Sequence, residues 1–229
     1  MDGKALKQGR LAKNWTQKEA AKALGVTQAY LSMLETGTRM VSKRLTREVP
    51  KILNLPPTAL PLPGTNSQLM PVRKRDFGAE LAALGYPGFA YLRTRTRRNP
   101  AAVLLDALNE PDLDARVAEG LPWLTLAYVD MDWEWLVRSA KVQDRQNRLG
   151  FAVSLASEVA QAKGDAGRAQ KLGDYLRLLE KARLAHEDTF CRDSMTEVER
   201  TWLRQHRPPV ASHWNLLTDM ESKHLDYAF

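Results

Sequence analysis

Four residues of the segment Thr27-Gln28-Ala29-Tyr30-Leu31-Ser32-Met33-Leu34-Glu35 carry side chains suited to the edges of base pairs. The Gln28 amide can bond bidentately to adenine at N6 and N7. Ala29 is small enough to meet a thymine methyl, Ser32 donates or accepts at several base edges, and Met33 offers apolar contact. Their spacing, i, i+1, i+4 and i+5, puts them on one side of a helix, with Tyr30 beside them. Leu31 and Leu34, three apart, fall on the other, inward side. Chemistry directed at phosphate surrounds this group. Gln17 can reach a phosphate through its amide, aided by the free backbone N–H groups of a helix start. Thr27 opens the reading helix, and Arg39, Lys43 and Arg44 lie just beyond it, where backbone contacts would set register rather than sequence.

Such side chains read DNA only if a scaffold presents them. Thr16 is placed to cap a short helix, with Glu19 three residues later completing a capping box. Ala20, Ala21 and Leu24 share one side of that helix. Ala21 is small, as the closest approach of two steeply crossing helices requires. Gly25 suits the left-handed turn that ends it, and Val26 packs at the turn before Thr27. An earlier helix is predicted from Asp2 to about Asn14, with Leu6 and Leu11 facing inward. A short helix, a glycine turn and a second helix with a polar face form the arrangement that enters a major groove.

These residues resemble the DNA-binding domain of the Xre/Cro/phage-repressor family. The matching positions are Thr16-Gln17, Ala21, Leu24-Gly25-Val26, Leu31, Leu34-Glu35, Gly37 and Arg39, and the resemblance spans roughly residues 2–60. It implies a compact five-helix domain that binds palindromic operators as a dimer. It places Gln28, Ala29, Ser32 and Met33 where the family reads bases and Gln17 where it meets the backbone. Two positions depart from the pattern. Val41-Ser42 replaces the proline often found before the fourth helix, and Pro50 falls inside that helix, which is therefore expected to kink or break near Val49.

Composition agrees with a nucleic-acid partner for the front of the chain. Among 229 residues the formal net charge is +7, distributed as +7 over residues 1–65, +5 over 66–100 and −5 over 101–229. A basic front attracts phosphate and releases condensed counterions. A single cysteine, Cys191, excludes an internal disulfide framework. No apolar run approaches the length of a membrane span, and MDGKALKQGR lacks the apolar core of a signal peptide, so a cytoplasmic location is expected. Prolines 56, 57, 61, 63 and 71 with Gly64 mark a linker. Three segments are read on this basis: a helix-turn-helix domain over 1–62, a basic linker or arm over 63–100, and a helical domain over 101–229. The aromatic-rich stretch 89–95 suits a short β-arm. The following arginines, Arg93 to Arg98, suit either added phosphate contacts or a solvated linker.

The rear segment reads as helices throughout: Asp112 or Asp114 is placed to cap a short helix ending at Gly120, ahead of an apolar segment from Pro122 to Tyr128, and Thr196 caps another with Glu199 at a capping-box position. A search for chemistry in it yields little. Its four histidines show no metal-ligand spacing and Cys191 has no second cysteine. His186 near Cys191 is better read as a surface histidine beside a buried thiol than as a nucleophilic dyad. Glu187-Asp188 and Asp130/Asp132/Glu134 read as solvated helix starts rather than acid–base pairs. Trp123, Trp133, Trp135, Trp202 and Trp214 read as core rather than as the wall of a ligand cavity. Trp133-Glu134-Trp135-Leu136 and Gln146-Asn147-Arg148-Leu149-Gly150 bear a similarity to helical domains attached to bacterial Xre-type regulators, some of them antitoxins.

The sequence therefore predicts a mainly α protein: a five-helix DNA-binding domain followed by a larger helical domain that dimerises, senses or grips a partner. The expected partners are an operator in double-stranded DNA and a second copy of the chain, with no membrane, cofactor, metal or catalytic residue. A transcriptional repressor is the leading expectation. An antitoxin that binds a toxin protein through the rear domain, and an enzyme fused to a DNA-binding module, are the alternatives.

Overall fold

Hydroxyls and carboxylates placed before apolar-periodic runs decide where the helices begin. In the computed structural model, which describes residues 3–63, 75–94 and 97–228, the chain separates into two units, Met1–Pro71 and Val72–Phe229. It is mainly helical. Among the described residues no helix is long and apolar enough to cross a membrane.

Among its described residues the first unit holds α1 (Gly3–Ala12), α2 (Gln17–Leu24), α3 (Gln28–Glu35) and α4 (Lys43–Ile52), followed by a 3-10 turn at Pro57–Ala59. Thr16, Thr27 and Ser42 cap α2, α3 and α4, each hydroxyl accepting a backbone N–H three residues on. Leu6, Ala20, Ala21, Leu24, Leu31, Leu34, Leu45, Val49, Leu53 and Leu55 form one buried cluster. Leu11 does not join it as expected: it is 52 % exposed. Five residues after Leu6, it lies about 140° around the helix, and Arg10 occupies the inward position instead. The predicted break at Val49 is also absent. α4 continues through Pro50 to Ile52, because the missing N–H falls in the last turn and the helix is pinned by Leu45, Val49 and Leu53. The Leu53 N–H spans the proline to donate to the Val49 carbonyl at 2.9 Å.

The second unit runs α5 (Phe77–Leu84), α6 (Pro100–Asn109), α7 (Ala115–Ala127), α8 (Trp133–Val142), α9 (Gln146–Ala162), α10 (Ala166–Glu180), β1 (Asp188–Thr189), α11 (Glu197–His206), α12 (Pro209–His213) and β2 (Leu216–Leu217). The strands pair in parallel, Asp188 opposite Leu216. α9 is the axis of the unit, buried along most of its length and packed against both α7 and α10.

Three expectations for this region need correction. The stretch assigned to a linker contains α5, whose Phe77, Leu81 and Leu84 are buried. The β-arm expected over 89–95 is not a strand at its described residues. Phe89 ends a 3-10 turn begun by Pro87, and the Leu92 N–H bonds back to the Phe89 carbonyl, so the backbone curls instead of extending. Residue 95 lies outside the described residues. α7 does not stop at Gly120 but passes through Pro122, since Leu121, Leu124 and Leu126 are all buried and hold it helical.

Arg148 of α9 ties this unit together. Only 1 % of it is exposed. Its Nε and Nη2 donate to the two carboxylate oxygens of Asp188, both at 2.8 Å, and Nη2 also reaches Asp193. Nη1 donates to the carbonyls of Leu108 and Glu110 at 3.1 Å. A buried guanidinium is tolerated only when its donors are used in this way. α6, α9 and the β1 loop thereby meet at one side chain.

Candidate nucleic-acid interface

The candidate reading face is assembled by two helices and the turn between them. In the capping box of α2, the Thr16 N–H donates to Glu19 Oε2 at 2.7 Å and the Glu19 N–H donates to Thr16 Oγ1 at 3.2 Å. Gly25 takes the left-handed conformation, φ 63°, and returns its N–H to the carbonyls of Ala21 and Lys22. A side chain at that φ would strain the turn. Ala21, 2 % exposed, is buried in the core against which α3 packs.

α3 then divides as its sequence requires. Leu31 and Leu34 are buried, while Gln28 and Ala29 are exposed and Ser32 and Met33 half-exposed. The Gln28 amide and the Ser32 hydroxyl form no hydrogen bond among the described residues. Tyr30 is half-buried and packs on the core rather than joining the outward group. The apolar half anchors the helix and the polar half is left uncommitted at the surface.

Residues 6–60 match a family model described as helix-turn-helix. This segment is an Xre/Cro-type helix-turn-helix domain. No curated protein and no solved structure matches the chain. The match supports a DNA-binding regulator in general terms.

Within this helix-turn-helix domain the side chains read as phosphate contacts have unequal settings. Arg39 is exposed, and its backbone N–H donates to the Met33 carbonyl at 3.1 Å, which holds it close to the end of α3. Arg44 is exposed beside Glu48, 3.6 Å away. Lys43 begins α4; its side chain lies outside the described residues. Thr27 is occupied as the cap of α3, its Oγ1 accepting the Tyr30 N–H. Gln17 is half-buried, and its amide nitrogen turns inward to donate to Glu35 Oε2 at 2.9 Å. Lys18 and Lys22 are exposed on α2 and add to the positive surface.

The network around Glu35 is not visible in sequence motifs. Arg10 Nε and Nη2 donate to Glu35 Oε1 and Oε2 at 2.6 and 3.1 Å, and Arg10 Nη1 donates to the Trp15 carbonyl at 2.9 Å. Burial alone would raise the Glu35 carboxyl, but hydrogen bonds from Arg10 and Gln17 hold it below the usual range. The same bond to Glu35 raises Arg10. One sign of the network is present in the chain: a charged residue at i+4 from Leu6, on the inward side of an amphipathic helix.

The rear unit commits its candidate groups elsewhere. Cys191 is buried, and burial pushes its thiol up to about 12, far from a reactive thiolate. Asp188 and Asp193 serve Arg148. Asp132 caps α8, and Asp130 pairs with Lys171. Trp123, Trp133 and Trp214 are core residues, Trp135 is half-buried, and Trp202 is exposed and stacks on His206. Arg98 is held by Glu80 and Asp106, and Arg97 Nε donates to the Ala83 carbonyl, so both are anchored within the unit. Arg93 is exposed; Arg95 lies outside the described residues.

Proposed function

We propose that the chain is a sequence-specific transcriptional regulator, acting as a repressor, that reads an operator through Gln28, Ala29, Ser32 and Met33 of α3. Arg39, Lys43, Arg44, Thr27 and the start of α2 at Gln17 grip the flanking phosphates. The observation that carries this reading is the division of α3: its leucines are buried and its polar face is exposed without internal partners. Exposed Lys18, Lys22 and Arg39 around that face supply the electrostatic attraction.

The functional unit in this proposal is a homodimer. One such module buries only roughly 600–1,000 Å² on DNA, and two half-sites about one helical turn apart raise specificity. The rear helical unit supplies the dimer contact, the protein works in the cytoplasm, and it performs no catalysis. The inert setting of Cys191 supports the last point.

The test is selection from a randomised duplex pool with the full-length chain, followed by footprinting. Enrichment of an inverted repeat with centres about 10 base pairs apart, and loss of enrichment on removal of residues 1–62, is the expected result. Absence of any enriched sequence overturns the assignment. Purification from the native host adds a second readout. A stoichiometric protein partner bound to residues 101–229 would replace the free-standing repressor by an antitoxin.

A further inference from the structure

We propose that Gln17 is a positioning residue of the reading face, acting through Glu35. The inference rests on the assignment of α3 as the reading helix. Gln17 is the first residue of α2 and Glu35 the last residue of α3, and the Gln17 amide nitrogen donates to Glu35 Oε2 at 2.9 Å. Glu35 is 7 % exposed. The arginine that shares it, Arg10, also donates to the Trp15 carbonyl, two residues before Gln17. Thr16, between them, is locked in its capping box.

The start of α2 is thus tied to the end of α3 twice, through Arg10 at residue 15 and directly at residue 17. The angle between the two helices is held from both ends, by the Gly25 turn at one and by this network at the other. That angle decides where Gln28 and Ser32 point when the start of α2 faces a phosphate. The Gln17 bond ends on an ionised carboxylate sheltered from water, so it is stronger than a bond between neutral groups. The remaining amide hydrogen and Oε1 of Gln17 have no partner among the described residues. The same side chain can therefore meet a phosphate without releasing Glu35.

The two classes of contact respond differently if this tie is cut. Hydrogen bonds to base edges are short and directional and weaken steeply with misalignment. Attraction between lysines or arginines and phosphates falls off slowly with distance. A small shift of α2 against α3 therefore erodes discrimination before it erodes affinity for duplex DNA as such.

The experiment uses the full-length chain, the duplex that it enriches from a randomised pool, and a scrambled duplex of equal composition. Gln17→Met keeps the length of the side chain and removes the donor. It is expected to weaken binding to the enriched duplex about tenfold more than binding to the scrambled duplex, whose smaller loss is that of the phosphate contact at Gln17. The salt dependence stays unchanged, and the unfolding midpoint falls only by the loss of one charge-assisted hydrogen bond. Gln17→Lys, which restores a donor within reach of Glu35, is expected to recover the discrimination and to steepen the salt dependence by about one unit. Equal weakening on both duplexes marks Gln17 as a phosphate contact alone and overturns the proposal. So does equal weakening that follows a fall in the unfolding midpoint, or no change on either duplex. If the unmodified chain enriches no sequence, the reading of α3 fails and this inference falls with it.

Discussion

Arg10 Nε lies 2.6 Å from Glu35 Oε1, and the two side chains are 9 % and 3 % exposed. The pair joins the first helix of the domain to the last residue of α3, 25 positions away. Removing one member strands the other charge in a dry site, which typically costs 3–5 kcal/mol, roughly, whereas replacing both with apolar groups is often close to neutral. Arg10→Met is therefore expected to destabilise the helix-turn-helix domain by about 3–5 kcal/mol. The double variant Arg10→Met/Glu35→Leu should recover most of that loss. Amide hydrogen exchange over α1–α3 measures both; a double variant no more stable than Arg10→Met would contradict the account.

The same pair sets an acid limit. Arg10 and Gln17 outweigh burial and depress the Glu35 carboxyl. A carboxylate with a depressed folded-state pKa stabilises the fold above its unfolded value, about 4.3, and that contribution disappears as pH falls through the folded value. Protection of the α1–α3 amides should be steady from neutrality to about pH 5 and decline below it. Glu35→Gln should start lower and show a flatter decline. An unchanged acid profile in that variant would show that other carboxylates set the limit.

Base readout and phosphate grip should separate by mutation. Gln28→Ala is expected to cost about 1–3 kcal/mol on the enriched duplex and to relax a single base position. Arg39→Ala should weaken binding to every duplex and lower the salt slope by about one. Equal losses on enriched and scrambled DNA for the Gln28 change would remove it from the reading face.

In the rear unit, the Gly150 backbone of α9 lies against the Trp214 ring: a Cβ there would come within 2.6 Å of three ring atoms. Trp214 cannot easily retreat, because its Nε1 donates to Ser154 Oγ at 2.9 Å and its side chain is buried. Gly150→Ala should destabilise this unit by about 1–3 kcal/mol through overpacking. DNA binding by the separate front unit should be retained. Denaturant unfolding with wild-type stability would show that the indole can move aside.

Cys191 should behave as a core residue. Burial holds its thiol near 12, so a disulfide-exchange reagent is expected to leave the folded chain unmodified at neutral pH and to react with one thiol on unfolding. Fast modification of the native chain would revive a nucleophilic role for it.

Much of the domain was legible in local sequence because its signals act over three or four residues. The boxes Thr16/Glu19 and Thr196/Glu199, the Gly25 turn, and the inward leucines of α3 all involve neighbours on one helix. The outward placement of Gln28 and Ala29 follows from the same periodicity. Pro50 and Pro122 misled the reading, since proline disfavours a helix only by a fixed local amount that burial of the flanking leucines exceeds.

What the chain order determined by itself is the set of caps, turns and amphipathic stripes, and with them the helix-turn-helix and its exposed polar face. What only the tertiary structure decided is which polar groups are spent inside the protein. Gln17 turns to Glu35, Arg10 replaces an apolar residue at the core, and Arg148 gathers Asp188, Asp193 and two carbonyls from distant segments. Each of these depends on a partner 18 to 45 residues away. The physical reason is that desolvating a charge is tolerable only where packing brings its counter-charge and acceptors within hydrogen-bond reach, and sequence spacing carries no record of that meeting.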